Sequence, residues 1–394
     1  MSDQNKRGSA AEVFLVFLRL GLSSFGGPIA HIGYFRDEFT TRRKWLSETE
    51  FADLVALCQF LPGPASSQFG FAVGLMRAGP LGALAAFIAF TLPSALVLMA
   101  VAVAVLQLES AWVGQALHGL KIVAVAIVAQ AVWGMAHSLC PDKERGTIAL
   151  LAVALVAFAP VPIAMPAAIV LGAVIGLFLA RGTVYTAQPM PVRISRVFSL
   201  LCLTLALALL MGLPLLGPLG GSFASGVALF DSFYRAGALV FGGGHVVLPL
   251  LEAELVPAWL SADSFLAGYG AAQAVPGPLF TFAAYLGMAI GGWPAALLAL
   301  IAIFLPGFLL LLAVLPHWAN LRRHSWAQSA MQGANAAVVG ILGAALYDPV
   351  FTSGVSGLAD LVLALLCLLL LMQWKAPPWS VVLLGALGGV LLAL

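Results

Sequence analysis

Gln59-Phe60-Leu61-Pro62-Gly63-Pro64 interrupts a long apolar run, and 214 residues later Gln273-Ala274-Val275-Pro276-Gly277-Pro278 interrupts another in the same way. Proline donates no backbone hydrogen bond and glycine loosens the chain, so each hexapeptide ends one helix and starts the next. Outward from this pair the match continues in order. Phe17-Leu18-Arg19-Leu20-Gly21 returns as Phe233-Tyr234-Arg235-Ala236-Gly237, and Phe25-Gly26-Gly27 as Phe241-Gly242-Gly243, both 216 residues on. Trp45 and Phe51 recur as Trp259 and Phe265, Leu92-Pro93 as Leu305-Pro306, and Gly119 as Gly333. So many punctuating residues falling in one order, in a background rich in Leu, Ala and Val, mark an internal duplication. The copies are expected at 11–180 and 226–394, joined by a linker helix at 197–216.

The chain around these motifs has 394 residues, 62% hydrophobic and 9% charged, where a soluble domain carries roughly 25% charged residues. The apolar runs are continuous for about 20 residues, the length of a membrane-spanning helix, and lack the alternating ~10-residue segments of a β-barrel. The expected fold is therefore an all-α polytopic membrane protein built from two inverted-topology repeats. It should contain broken or re-entrant helices and about nine to ten full spans. A net charge of +2 points to no nucleic-acid partner, and the four cysteines lie too far apart for a metal or disulfide framework. Phosphate-loop, nucleophile-elbow and metal-ligand signatures are missing, so no enzyme activity, cofactor or metal is expected.

Charge position carries the topology. Cytoplasmic loops collect Lys and Arg, and the loop after the first motif holds Arg36, Arg42, Arg43 and Lys44, whereas its counterpart holds Glu252, Glu254 and Asp263. The halves should therefore face opposite ways. The N-terminus should be cytoplasmic, with 11–30 and 51–76 entering the membrane and returning and 81–106, 112–136, 147–159, 162–180 and 197–216 crossing. In the second half 226–250 and 264–290 should re-enter, and 295–315, 329–348, 357–373 and 379–394 should cross. That gives nine spans; broken segments that cross fully would raise the number.

A helix broken in hydrocarbon exposes backbone groups at several kcal/mol each, so such breaks persist only inside protein or beside a wet cavity. A proline followed by helix is also an expected half-helix start whose N–H groups attract an anion. The paired breaks thus nominate Ser24, Gly26, Gly27, Pro62, Gly63, Gly242, Gly243, Pro276 and Gly277 as a cradle for a small anion. Arg19 and Arg235, each six residues before its Phe-Gly-Gly, offer forked donors suited to an oxyanion. Both lie in apolar runs, where Arg costs at least about 2.5 kcal/mol. The alternative is that they snorkel or pair with Glu12 or Asp231. Gln59 and Gln273 can direct amide hydrogens at the same breaks. His31, His245, Lys121 and Asp348 are the candidates for carrying a coupling proton.

These residues resemble the chromate ion transporter family in its long, two-domain form. The resemblance rests on Phe25-Gly26-Gly27-Pro28 with Ala30-His31, Gln59 to Pro64 with Gln68, and Phe241 to Leu250. Ala272 to Pro278, Asn335 to Gly340 and Ala344 to Pro349 complete it. It implies a multi-pass carrier of the bacterial inner membrane that expels chromate and confers resistance. Chromate would be bound between the half-helix starts, with a proton as candidate coupling ion and a second copy of the chain as candidate partner. A carrier of sulfate or another tetrahedral oxyanion shares every feature, and a non-transport sensor is the third reading.

Overall fold

The computed structural model describes residues 8–107, 111–159, 161–179, 194–216, 221–321 and 323–393, and these form helices joined by short turns, without strands. Residues 180 and 394, the ends of two expected segments, lie outside the described residues. The protein is an all-α polytopic membrane protein. Five helical stretches among the described residues are long and apolar enough to cross a membrane: 65–105, 112–139, 196–216, 279–321 and 325–354.

Chain reversals inside the apolar runs organise the fold. Helix α1 (Ala10–Ser23) ends at Ser24, and α2 (Gly27–Arg36) begins behind Gly26, whose φ of 97° is open to glycine. Eighteen residues of continuous helix would separate Phe17 from Phe35 by about 27 Å, but their rings lie 6.2 Å apart. The two helices therefore form a hairpin. After a π-type turn at 37–42, α3 (Glu48–Phe60) is started by a capping box on Ser47 and Glu50. It is followed by α4 (Ala65–Gln107). Phe51 on α3 meets Phe69 on α4 edge-on at 5.0 Å, so this pair also folds back, with Pro62-Gly63-Pro64 at its tip.

The 43 residues of α4 are themselves two helices, with non-helical Ala78 (φ −138°) and Gly79 (φ 67°) between them. A Cβ on Gly82 would lie 3.2 Å from the Gly74 carbonyl carbon, although eight residues of straight helix rise about 12 Å. The chain turns back here, between the segments 51–76 and 81–106 that the sequence separates. Then come α5 (Ala111–Leu139), α6 (Lys143–Phe158), α7 (Val161–Leu179) and α8 (Arg196–Leu216).

The second half repeats the construction. Helix α9 (Gly221–Leu239) folds back through Gly242-Gly243 onto α10 (Val247–Leu255), and α11 (Ala262–Ala272) through Pro276-Gly277-Pro278 onto α12 (Phe282–Val314). Phe265 meets Phe282 at 5.2 Å, as Phe51 meets Phe69. Helix α12 turns at Gly291 (φ −152°) and Gly292 (φ 70°) with nearly the angles of Ala78 and Gly79. A four-residue α13 (Trp318–Leu321) leads to α14 (Ser325–Ala345); the short α15 (Thr352–Gly354), α16 (Leu358–Met372) and α17 (Pro378–Leu392) complete the chain.

The halves interlock through small residues, which let helix backbones approach where apolar burial gives no drive. Helix α5 packs on α16 and α17, and α14 packs on α6 and α7. Gly119 of α5 lies against Gly385 and Gly389 of α17, and Gly333 of α14 against Gly172 and Gly176 of α7. Each contact is the other's repeat image.

Candidate functional site

Each Pro-Gly-Pro tip docks on the glycine break of the opposite half. The Gly63 N–H donates to the Val240 carbonyl at 2.7 Å, and the Gly277 N–H donates to the Ser24 carbonyl at 2.8 Å. Ser24 and Val240 are the residues just before Phe25-Gly26-Gly27 and Phe241-Gly242-Gly243. Reciprocal contacts of this kind are the mark of a two-fold relation. The tips also touch equivalent prolyl turns of the opposite half: a Cβ on Gly63 would sit 3.0 Å from the Gly307 Cα, and one on Gly277 would sit 2.8 Å from the Ser94 Oγ. Gly63 (φ 115°) and Gly277 (φ 102°) adopt a backbone that side chains rarely tolerate.

This geometry reassigns some of the nominated groups. The Gly63 and Gly277 N–H groups hold the opposite half and do not face an open cradle, so N–H groups in the first turn of the following helices are the ones left for an anion. Gln59 is exposed. The amide that serves its tip is Gln68, fully buried, whose Nε2 donates to the Pro62 carbonyl at 2.9 Å and the Gly307 carbonyl at 3.0 Å. Gln273 lies apart from this contact, its amide nitrogen buried without a hydrogen-bond partner, while the Tyr269 hydroxyl one turn earlier bonds the Nδ1 of His245 at 2.8 Å.

The two arginines sit in contrasting surroundings. Arg235 pairs with Asp231 one turn away and, across its hairpin, with Glu254 at 3.3 Å. It lines a cleft with Glu254, Met165 and Pro166. Arg19 is exposed and, among the described residues, makes no ion pair; Glu12 goes to Arg77 instead. The positions that neutralise Arg235 are occupied in the first half by Leu15 and by Glu38, and Glu38 is held by Arg42 at 3.0 Å and Arg43 at 2.6 Å. Burial works against the charge on Glu38, but those two guanidinium groups outweigh it and hold its pKa below the usual carboxylate range.

The remaining candidates separate clearly. Lys121 is committed to Asp263 at 2.8 Å. Asp348 is exposed and accepts from the Thr352 hydroxyl at 2.9 Å. His31 is fully buried, with Nε2 on the Ser24 carbonyl at 3.2 Å and its ring against Phe90 at 5.4 Å. Among the described residues no group of His, Cys, Asp and Glu could hold a metal ion.

The Gly26-Gly27 break is open: a Cβ on Gly27 would meet nothing within 4 Å. The Gly242-Gly243 break is covered, since a Cβ on Gly242 would lie 3.1 Å from Leu139 and 3.3 Å from Met135 of α5.

A chromate transporter family model matches this chain twice, at residues 11–177 and 227–390. A probable chromate transport protein of Synechococcus elongatus is 29% identical over 95% of this chain and 93% of its own length. Chromate transport proteins of Pseudomonas aeruginosa and Cupriavidus metallidurans are 28% and 27% identical, covering 86% and 95% of this chain and 81% and 91% of their own. No solved structure matches the chain.

Proposed function

The chain belongs to the chromate transporter family, and on that premise we propose that it is a secondary carrier of the bacterial inner membrane that expels chromate from the cytoplasm and so confers resistance. The observation that carries this reading is the reciprocal docking of the hairpin tips, Gly63 on Val240 and Gly277 on Ser24. A two-fold seam between broken helices gives one locus that each half can expose in turn, as alternating access requires. The opposed charges of the segments 36–44 and 252–263 support a two-fold axis in the membrane plane, with 11–180 and 226–394 as inverted repeats joined by 197–216. The N-terminus is then cytoplasmic, and nine spans result if α6, α7, α16 and α17 all cross.

The anion approaches the open break, where the start of α2 and the uncompensated Arg19 attract it. Arg235, already neutralised, braces its hairpin. Each negative charge that leaves a cell negative inside gains about 2.3 kcal/mol per 100 mV, so the membrane potential favours efflux.

Everted membrane vesicles containing the protein should accumulate radiolabelled chromate when energised, and control vesicles should not. Equal movement of sulfate would shift the substrate to tetrahedral oxyanions in general. Reporter fusions at residues 40 and 258 should report opposite sides; the same side for both would remove the inversion.

A further inference from the structure

Arg235 stands between two carboxylates. Its Nη2 pairs with Asp231 on α9, and its Nη1 pairs with Glu254 on α10 at 3.3 Å. One guanidinium against two carboxylates leaves an excess of one negative charge. Asp231 is only 7% exposed, and its Oδ1 is buried without a hydrogen-bond partner, as is Arg235 Nε. At the repeat-equivalent positions stand Leu15, Arg19 and Glu38, and there the balance is reversed, since Glu38 alone has two guanidinium partners in Arg42 and Arg43.

The neighbouring elements do not cancel the excess. Helices α7, α12 and α14, which pack on α9 or α10, contain no charged residue. Helix α8 has Arg196 at its start, ten residues and about 15 Å of helix before the Ala206 carbonyl that Tyr234 of α9 reaches. Asp263 of α11 is bound to Lys121, and His245 to Tyr269. Glu252 lies two residues from Glu254, more than half a turn around α10. A triad set among apolar helices is neutral when one carboxyl carries a proton, and two carboxylates sharing one cation favour that state. A metal ion or an organic cation would have to sit beside the guanidinium, which repels it, whereas a proton needs no room. Access is open, because Arg235 and Glu254 line a cleft of about 130 Å³ with Met165, Pro166, Leu239 and Leu250, room enough for water.

We infer that Asp231, Arg235 and Glu254 form a site for one exchangeable proton, shared by the two carboxyl groups, and that this proton is the coupling ion of the carrier, entering the triad as the anion leaves the cell. The inference rests on the carrier reading above and adds a drive to it. The route from proton to seam is short. The Arg235–Glu254 pair ties α10 to α9, and Arg235 lies five residues before Val240, whose carbonyl receives the Gly63 N–H. A proton on Glu254 removes its charge and slackens the tie, so the hairpin that receives the opposite tip is held differently in the two protonation states.

The test uses the purified full chain in proteoliposomes at clamped zero voltage, in a pH range where chromate stays fully ionised. An acid interior should drive chromate in as protons leave, and one proton per anion supports about tenfold accumulation for each unit of pH difference. Asp231→Asn and Glu254→Gln each leave one carboxylate to one guanidinium. Both should lose the response to the pH gradient while still exchanging labelled for unlabelled chromate, which also reports that they are folded. Glu38→Gln should respond as wild type. Infrared spectra in detergent give a readout independent of transport: a protonated-carboxyl band that fades as pH rises in the wild-type protein should be missing from both variants. A wild-type response to the pH gradient in both variants, a band that both retain, or uptake driven by a sodium gradient and not by a proton gradient would overturn the site. Wild-type protein that shows the band, with both variants lacking it, but moves no chromate under any gradient would instead overturn the carrier reading and leave the proton site standing.

Discussion

Gly26-Gly27 and Gly242-Gly243 break their helices with backbone angles open to glycine, each just after a carbonyl that receives the opposite hairpin tip. Their surroundings have diverged. The first break is open, with an exposed Arg19 before it and a buried His31 bonded to the Ser24 carbonyl. The second is covered by Met135 and Leu139, its arginine is neutralised by two acids, and its histidine is tied to Tyr269. Duplication supplies a two-fold frame, and within it the side chains around the two breaks have come to differ. The difference shows that equivalence of position in a repeat protein does not carry equivalence of surroundings.

The most severe way to break the comparison is to damage what both breaks share. Gly277→Val and Gly63→Val each force a β-branched side chain into a left-handed backbone, at about 1–2 kcal/mol, and drive it into the opposite half. Both variants should lose chromate uptake and fall out of the monodisperse fraction on detergent size-exclusion chromatography. A well-folded Gly277→Val protein would show that the docking of tips is dispensable.

Exchanging the arginines comes next. Arg235→Ala leaves buried Asp231 and half-buried Glu254 without their partner and should destabilise by about 1–3 kcal/mol, visible as a lower melting temperature in detergent. Arg19→Ala should melt as wild type while its chromate uptake falls roughly tenfold, the scale of one charge-assisted contact. Leu15→Asp would give Arg19 the acid that Arg235 already has, and should reduce uptake severalfold without a stability loss. Equal behaviour of Arg19→Ala and Arg235→Ala in both readouts would erase the asymmetry.

The smallest effect concerns Glu38, whose repeat counterpart is Glu254. Arg42 and Arg43 depress the Glu38 pKa when the protein is folded, so its contribution to stability is fully present above the ordinary carboxylate pKa. It is lost as pH falls through the lower folded value. Melting temperature followed downward through the carboxylate range should decline less steeply in Glu38→Gln than in wild type, with a difference at neutral pH of about 1 kcal/mol.

Much of the frame was legible along the chain because proline and glycine act locally. Pro62-Gly63-Pro64, Gly26-Gly27 and their repeats announce broken helices whatever packs around them, since a missing N–H and a missing Cβ are properties of the residue itself. The turn at Ala78-Gly79 was visible only as a gap between two apolar segments, and its tightness depends on Gly74 meeting Gly82 across the bend. Gln59 was the natural amide to aim at a tip three residues away. Gln68 takes that place because the next helix folds back and carries it there, a fact of three dimensions.

Composition, the spacing of prolines and glycines and the placement of charge determined that this chain is a duplicated all-α membrane protein with breaks that face each other. Those features act through solvation and local backbone chemistry, which need no knowledge of neighbours. Only the tertiary structure decided that Lys121 is bound to Asp263, that Arg235 is compensated while Arg19 is not, and that the Gly277 N–H and His31 share the Ser24 carbonyl. Each of these depends on pairing across many residues, where the energy of a charge or a buried hydroxyl is set by the groups that fold against it.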